Sequence, residues 1–494
     1  MISETLQAQA PTKTQRWAFL AVISGGLFLI GVDNSILYTA LPLLREQLAA
    51  TETQALWIIN AYPLLMAGLL LGTGTLGDKI GHRRMFLMGL SIFGIASLGA
   101  AFAPTAWALV AARAFLGIGA ATMMPATLAL IRITFEDERE RNTAIGIWGS
   151  VAILGAAAGP IIGGALLEFF WWGSVFLINV PVAVIALIAT FFVAPANIAN
   201  PSKHWDFLSS FYALLTLAGL IITIKESVNT ARHMPLLLGA VIMLIIGAVL
   251  FSSRQKKIEE PLLDLSLFRN RLFLGGVVAA GMAMFTVSGL EMTTSQRFQL
   301  SVGFTPLEAG LLMIPAALGS FPMSIIGGAN LHRWGFKPLI SGGFFATAVG
   351  IALCIWGATH TDGLPFFIAG LFFMGAGAGS VMSVSSTAII GSAPVRKAGM
   401  ASSIEEVSYE FGTLLSVAIL GSLFPFFYSL HAPAEVADNF SAGVHHAIYG
   451  DAARASLDTA YINVLIIALV CAVAAALISS YLFRGNPKGA NNAH

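Results

Sequence analysis

Three glutamates crowd one short stretch, Ser402-Ser403-Ile404-Glu405-Glu406-Val407-Ser408-Tyr409-Glu410. In a helix, Glu406 and Glu410 share a face one turn apart, and Glu405 and Tyr409 form a second such pair about 100° round the axis. Apolar sequence continues from Phe411 to Phe424, so this is not a solvated loop face. Three ionised acids in a bilayer would cost about 7–10 kcal/mol, against about 0.3–0.6 kcal/mol returned by each Leu, Ile, Val or Phe. Some of them must be protonated, solvated in a cavity or paired, which suits a proton carrier. Three further charges stand in apolar runs. Asp33 lies in Gly31-Val32-Asp33-Asn34-Ser35, Arg113 in Leu109-x3-Arg113-x3-Gly117, and Glu291 in Ser288-Gly289-Leu290-Glu291-Met292. A lone membrane Arg costs about 2.5–3.5 kcal/mol, so Arg113 should face the interior and have a partner. Met282, Met284, Phe285 and Met292 flank Glu291 in sequence, and such adaptable surfaces suit varied cationic ligands.

The elements that carry these residues must be membrane helices. The 494-residue chain is 57% hydrophobic and 10% charged, with mean hydropathy +0.81, whereas a soluble domain averages about 25% charged residues. Fourteen apolar runs of spanning length are centred near 28, 66, 94, 119, 155, 184, 216, 243, 283, 318, 348, 378, 411 and 471. The first, Trp17 to about Tyr38, is too long for a signal-peptide core and is expected to remain as a span. Twenty of the 26 Lys and Arg fall on the side of the termini, five on the other, and Arg113 within a span. That bias puts both termini in the cytoplasm. Net charge is +1, which gives no case for nucleic acid. Cys354 and Cys471 both fall in apolar spans, against a disulfide or a metal site. No G-x-x-x-x-G-K-[ST], H-E-x-x-H or nucleophile elbow occurs, so neither ATP-driven transport nor hydrolytic chemistry is indicated.

The chain repeats itself weakly. Leu76 to Arg83 is echoed by Asn330 to Lys337, and Gly117 to Ala120 by Gly375 to Ala378. Two extra spans, Phe207 to about Ser252, fit as an insert between two six-span halves. The expected division is residues 1–16 as a cytoplasmic N-terminus, 17–195 as the first bundle and 196–270 as a linker with two spans. Residues 271–483 then form the second bundle, with an outer loop at 425–459 that could hold a short surface helix, and 484–494 a cytoplasmic tail.

Two glycine-rich stretches read as conformational elements. In Gly155-x3-Gly159-Pro160-x2-Gly163-Gly164, the glycines at 155, 159 and 163 share a helix face and allow close approach, while Pro160 frees the carbonyl of Ala156. In Gly74-Thr75-Leu76-Gly77-Asp78-Lys79-Ile80-Gly81-His82-Arg83-Arg84, glycines permit a tight turn at the membrane face. There Asp78 could accept from a neighbouring helix N-terminus, and Arg83 could pair with an acid.

These stretches carry a resemblance. The first is similar to the antiporter motif in the fifth span of major facilitator drug exporters, and the second to that family's loop signature between spans two and three. Asp33 to Pro42 resembles the first-span D-x-T…A-L-P pattern, with Ser35 where Thr is usual. Trp57 and Tyr62 resemble W-x-x-x-x-Y, and Trp171-Trp172 with Phe176 to Pro181 resembles a signature of the fourteen-span branch. The chain is identified as similar to fourteen-span drug:proton antiporters of the major facilitator superfamily, and among them to the QacA/SmvA type of antiseptic exporters.

The resemblance implies an all-α membrane fold in the bacterial cytoplasmic (inner) membrane, acting as a monomer without cofactor or metal. It implies export of hydrophobic cations (quaternary ammonium compounds, dyes, cationic biguanides such as chlorhexidine) driven by protons. Asp33, Glu405, Glu406, Glu410, Glu291 and Arg113 would couple protons or bind cations. Asn60, Trp57, Tyr62, Tyr38, Trp148, Phe285, Met292 and Tyr409 would line the cavity, with Asn60 standing where relatives often carry an acid. Gly74, Gly77, Asp78, Gly81, Arg83, Gly155, Gly159, Pro160, Gly163 and Gly164 would serve conformational change. The other readings are a proton-coupled uptake symporter on the same fold and a membrane sensor; the antiporter motif and the surplus of acids argue against the first, and the lack of a soluble signalling domain against the second.

Overall fold

The computed structural model describes residues 12–201, 205–228, 233–258, 261–360, 362–394 and 398–485. Residues 1–11 and 486–494 of the expected cytoplasmic ends, and Lys203, Arg232, Arg396, Lys397 and Lys488 of the positive set, lie outside the described residues. Among the described residues there is no strand. The long helices are α1 Lys13–Gln47, α2 Glu52–Ile80, α3 His82–Ala101, α4 Ala106–Thr134, α5 Glu138–Phe169, α6 Asn179–Val193, α7 Phe207–Val228 and α8 Met234–Gln255. They continue with α9 Arg271–Arg297, α10 Ile314–Trp334, α11 Phe336–Thr359, α12 Leu364–Ser392, α13 Ala398–His431 and α14 Gly450–Leu482. Among the described residues, thirteen helices are long and apolar enough to cross a membrane, and α5 is a further helix of 32 residues.

Local sequence sets the helix ends. Thr12 with Gln15 and Thr51 with Gln54 form capping boxes, and Thr105 and Asp137 cap α4 and α5. These side chains satisfy amide groups that have no partner inside the first turn. Gly81, at φ +98°, ends α2 and starts α3, and Gly335, at φ +80°, does the same between α10 and α11. Only glycine takes such a backbone without strain. The weak repeat seen in sequence is thus a repeated turn.

The halves have separate apolar cores. One contains residues from Phe19 to Ala186; two others, including Leu290 to Ala472 and Ala279 to Phe483, fill the second bundle. Helices α7 and α8 pack on each other, with Gly219 against Leu244 and Gly247 against Thr216. They stand mostly outside the bundles, and α7 lies along α2, where Gly68 and Gly72 admit Leu214 and Ser210. Ile221 of α7 also touches Leu414 and Ala418 of α13, so the inserted pair covers the seam between α2 and α13.

Two details differ from expectation. Helix α13 runs through Pro425 to His431 and α14 begins at Gly450, so the loop between them is residues 432–449 rather than the expected 425–459, with one short helix, Phe440–Gly443. Phe424, Tyr428, Leu457 and Tyr461 continue the buried stripe of both helices, and that packing holds the helix beyond Pro425. Helix α9 continues as a π-helix, Phe298–Val302, which ends at left-handed Gly303.

Candidate functional site

Asp33 of α1 is wholly enclosed, and its Oδ2 accepts a charge-assisted hydrogen bond from Arg113 of α4. Asn179, at the start of α6, donates from Nδ2 to Asp33 Oδ1 at 2.9 Å and to Ser97 Oγ of α3 at 3.3 Å. Arg113 Nε donates to the carbonyl of Ile58 at 3.1 Å, and its guanidinium lies over the Tyr62 ring, 4.5 Å from the centroid. Two helices besides α1, α4 and α6, reach the carboxylate directly, and α2 and α3 hold their side chains in place. A buried pair survives only with such extra hydrogen bonds, because both charges have left water. The expectation that Arg113 has a partner is met, and the partner is Asp33. Asp33 is accordingly not an open acid lining a cavity in this state.

The second half brings its acids to the same level. Glu410 of α13 lies within electrostatic reach of Arg113 and of Tyr62. Its Oε2 is buried with no hydrogen-bond partner among the described residues, and so is the Tyr62 hydroxyl. Tyr38 lies beside Ser288 of α9 and within electrostatic reach of Glu291 and Glu410. Glu405 is turned toward α12: it accepts from the Tyr409 hydroxyl at 2.9 Å and lies beside Ser386. Glu406 is placed between Glu405 and Glu410. The two i,i+4 pairs read from sequence thus occupy different sides of α13. Hydroxyls rivet α9 to α13, with Ser288 and Thr413 at 3.2 Å, the Gly289 amide donating to Ser416 Oγ at 2.9 Å, and Ser416 donating to the carbonyl of Phe285. Phe285 is buried in that contact.

Several expected lining residues sit elsewhere. Asn60 and Trp57 face a narrow crevice shared with Leu56, Ile221, Lys225, Ala418 and Ser422, against the inserted helix α7. Met292 is 1% exposed and packs with Tyr38, Leu41, Leu56, Ile59 and Val417, sealing the seam rather than lining a cavity. Trp148 of α5 donates from Nε1 to Thr127 Oγ1 of α4 at 3.0 Å.

The glycine motif serves two partners. Cβ atoms at Gly155, Gly159 and Gly163 would meet Phe28, Ser35 and Ile36, so that face is spent on α1 within the same half. The contact with the other half is the neighbouring face. Gly164 abuts Pro306 and Leu307 of the short helix Pro306–Leu311, and Gly310 abuts the carbonyl of Pro160. Other links between the halves lie at the same end, away from the termini. Gln299 donates to the carbonyl of Thr39 at 2.9 Å, and Arg45 reaches Asn439 and lies over the Phe440 ring.

At the terminal side, the loop signature is closed by its own half. Asp78 pairs with His82 at 3.0 Å, and Arg83 donates to the carbonyl of Phe191 at 3.3 Å rather than to an acid. Asn197, after α6, donates to the carbonyl of Ile80 at 2.9 Å and accepts from the amide of Arg84 at 3.1 Å. Gly74 and Gly77 keep α2 close to Pro125 and His82. Sequence reasoning missed Asn197, Gln299 and the part played by Asn179. An asparagine inside an apolar span was the available signal for the last.

A profile of the Major Facilitator Superfamily matches residues 23–293 and 272–494. The multidrug efflux pump LfrA of Mycolicibacterium smegmatis is 34% identical over 495 residues, covering 96% of this chain and 97% of that protein. The methyl viologen resistance protein SmvA of Salmonella typhimurium is 38% identical over 428 residues, covering 85% of each. The fold resembles a bacterial homologue of the human lysosomal transporter Spinster, solved inward-facing and unoccupied, with TM-score 0.65, 15% identity, and coverage of 96% and 98%. With a multi-pass helical architecture, two bundles and acids buried between them, the chain belongs to the Major Facilitator Superfamily and is a membrane transporter, not an enzyme.

Proposed function

We propose that this protein is a proton-coupled exporter of hydrophobic cations in the bacterial inner membrane, with fourteen spans and both termini cytoplasmic. The observation that carries this reading is Glu410. It is a buried carboxyl with an unpartnered oxygen, set between the halves beside Tyr62 and Arg113. Such a group must be occupied by a proton or by a cation, and occupancy by one excludes the other. Competition of that kind couples two ligands reciprocally. The names of LfrA and SmvA, as an efflux pump and a resistance protein, support export rather than uptake. Quaternary ammonium compounds, dyes and biguanides are the substrates that suit buried acids flanked by Tyr38, Tyr62 and Tyr409.

In this state the halves meet at the end away from the termini. With the termini in the cytoplasm, that is the outward-closed half of the cycle. Opening the outer seam would let protons reach the acids and displace the cation.

The test uses the purified protein in liposomes. An imposed pH gradient should drive ethidium across the membrane without nucleotide, and a protonophore should stop it. Transport that requires ATP and ignores the protonophore would overturn the reading.

A further inference from the structure

We propose that Asn179 is the positioning residue that sets when Asp33 gains and loses its proton, an inference that rests on the proton-coupled reading above. Asn179 is fully buried, and its amide is used on one side only. Nδ2 donates to Asp33 Oδ1 at 2.9 Å and to Ser97 Oγ at 3.3 Å, while Oδ1 has no partner among the described residues. A buried amide oxygen without a donor is costly and rare, so a second state in which it is used is the economical explanation.

That second state follows from the neighbours of Asp33. Arg113 of α4 offers donors only, so it can donate to either form of Asp33 but cannot accept from the O–H of the acid. Tyr62 of α2 is stacked on Arg113, and Glu410 of α13 acts on the pair from across the seam. Glu291 of α9 faces Tyr38, further along α1. Helix α5 faces α1 with Gly155, Gly159 and Gly163, and α3 and α6 bring Ser97 and Asn179, none of which titrates near neutrality. When Asp33 takes a proton, its O–H needs an acceptor. A half-turn of the Asn179 amide presents Oδ1 to it. The same side chain thus satisfies Asp33 in both protonation states and keeps its carboxyl aimed at Arg113.

The two bonds are unequal. A hydrogen bond to a carboxylate is roughly twice as strong as one to a neutral acid. Removing the amide therefore costs the ionised form more, and Asp33 should hold its proton to higher pH. In Asn179→Leu the protonation midpoint of Asp33 is expected to rise by about one pH unit, equivalent to about 1.4 kcal/mol.

The measurement is an infrared difference titration of the reconstituted protein, following the protonated-carboxyl band that disappears in Asp33→Asn. The pH profile of ethidium efflux should move the same way. Asn179→Ser, which withdraws the donor from reach with less change in packing, should give the same direction. A role confined to packing would lower yield or activity at every pH without moving the midpoint. An unchanged midpoint in either folded variant overturns the proposal. If the wild-type protein exports dye without moving protons, the earlier reading fails instead, and the carboxyl titration still reports on Asn179.

Discussion

Adding one carbon at Gly164 should hold the outer seam open. Its ideal Cβ would lie 2.6 Å from Leu307 Cα and 2.6 Å from the carbonyl oxygen of Pro306, both backbone atoms of the other half. Ordinary contact begins at 3.4 Å, so the two helices must part by about 0.8 Å in the closed arrangement. Neither neighbour is a side chain that could swing aside. Overpacking of this kind costs about 1–3 kcal/mol. At about 1.4 kcal/mol per tenfold, the outward-closed population falls roughly 5- to 150-fold relative to the open one. Within its own half α5 is unaffected, because Gly155, Gly159 and Gly163 face α1 on a different side. The assay is thiol labelling from outside, with a membrane-impermeant reagent, of a single cysteine placed by Leu41→Cys in a background lacking Cys354 and Cys471. Leu41 is 1% exposed in the closed seam, so labelling reports opening directly. Gly164→Ala should raise the labelling rate at least fivefold and slow efflux, at unchanged expression. Labelling at the parental rate together with full efflux would refute the argument that this contact closes the outer face.

Two further predictions follow from the same geometry. Gly159→Leu should leave protein in the membrane but abolish efflux, since even its Cβ would lie 1.9 Å from Ser35 Oγ and 2.9 Å from the carbonyl of Val32; dye efflux at matched expression checks this. Moving a monocation outward against the membrane potential costs about 2.3 kcal/mol per 100 mV, and a dication twice that, so a dication needs two titrating acids for the same cancellation. Asp33→Asn should abolish all transport, whereas Glu406→Gln or Glu410→Gln should impair bisbiguanide efflux more than ethidium efflux, and equal losses would reject that division.

Much of this protein was legible in one dimension. Apolar run length marks membrane helices because a bilayer has a fixed thickness and backbone groups must bond internally within it. The centres near 28, 66 and 94 all fall inside α1, α2 and α3. Gly81 and Gly335 announced a repeated turn, and an Arg at 113 in an apolar run announced a buried partner, because both follow from local physics. The i,i+4 pairing of Glu405 with Tyr409 is likewise a property of any helix.

What sequence spacing could not decide is which helix each face meets. Asp33 and Arg113 are 80 residues apart, and only the packing of α1 against α4 makes them one ion pair instead of two separate charges. Asn179 comes to Asp33 from 146 residues away, and Asn60 turns to a helix inserted between the halves. The glycine motif specified close approach, but Gly159 on α1 and Gly164 on the opposite half are told apart only by the direction each faces in the bundle. Arg83 found a carbonyl in place of an acid, because in this state its neighbours come from its own half. Chain chemistry determined that buried charges needed partners; the tertiary structure chose them, since membrane helices associate through packing and hydrogen bonds that no single helix contains.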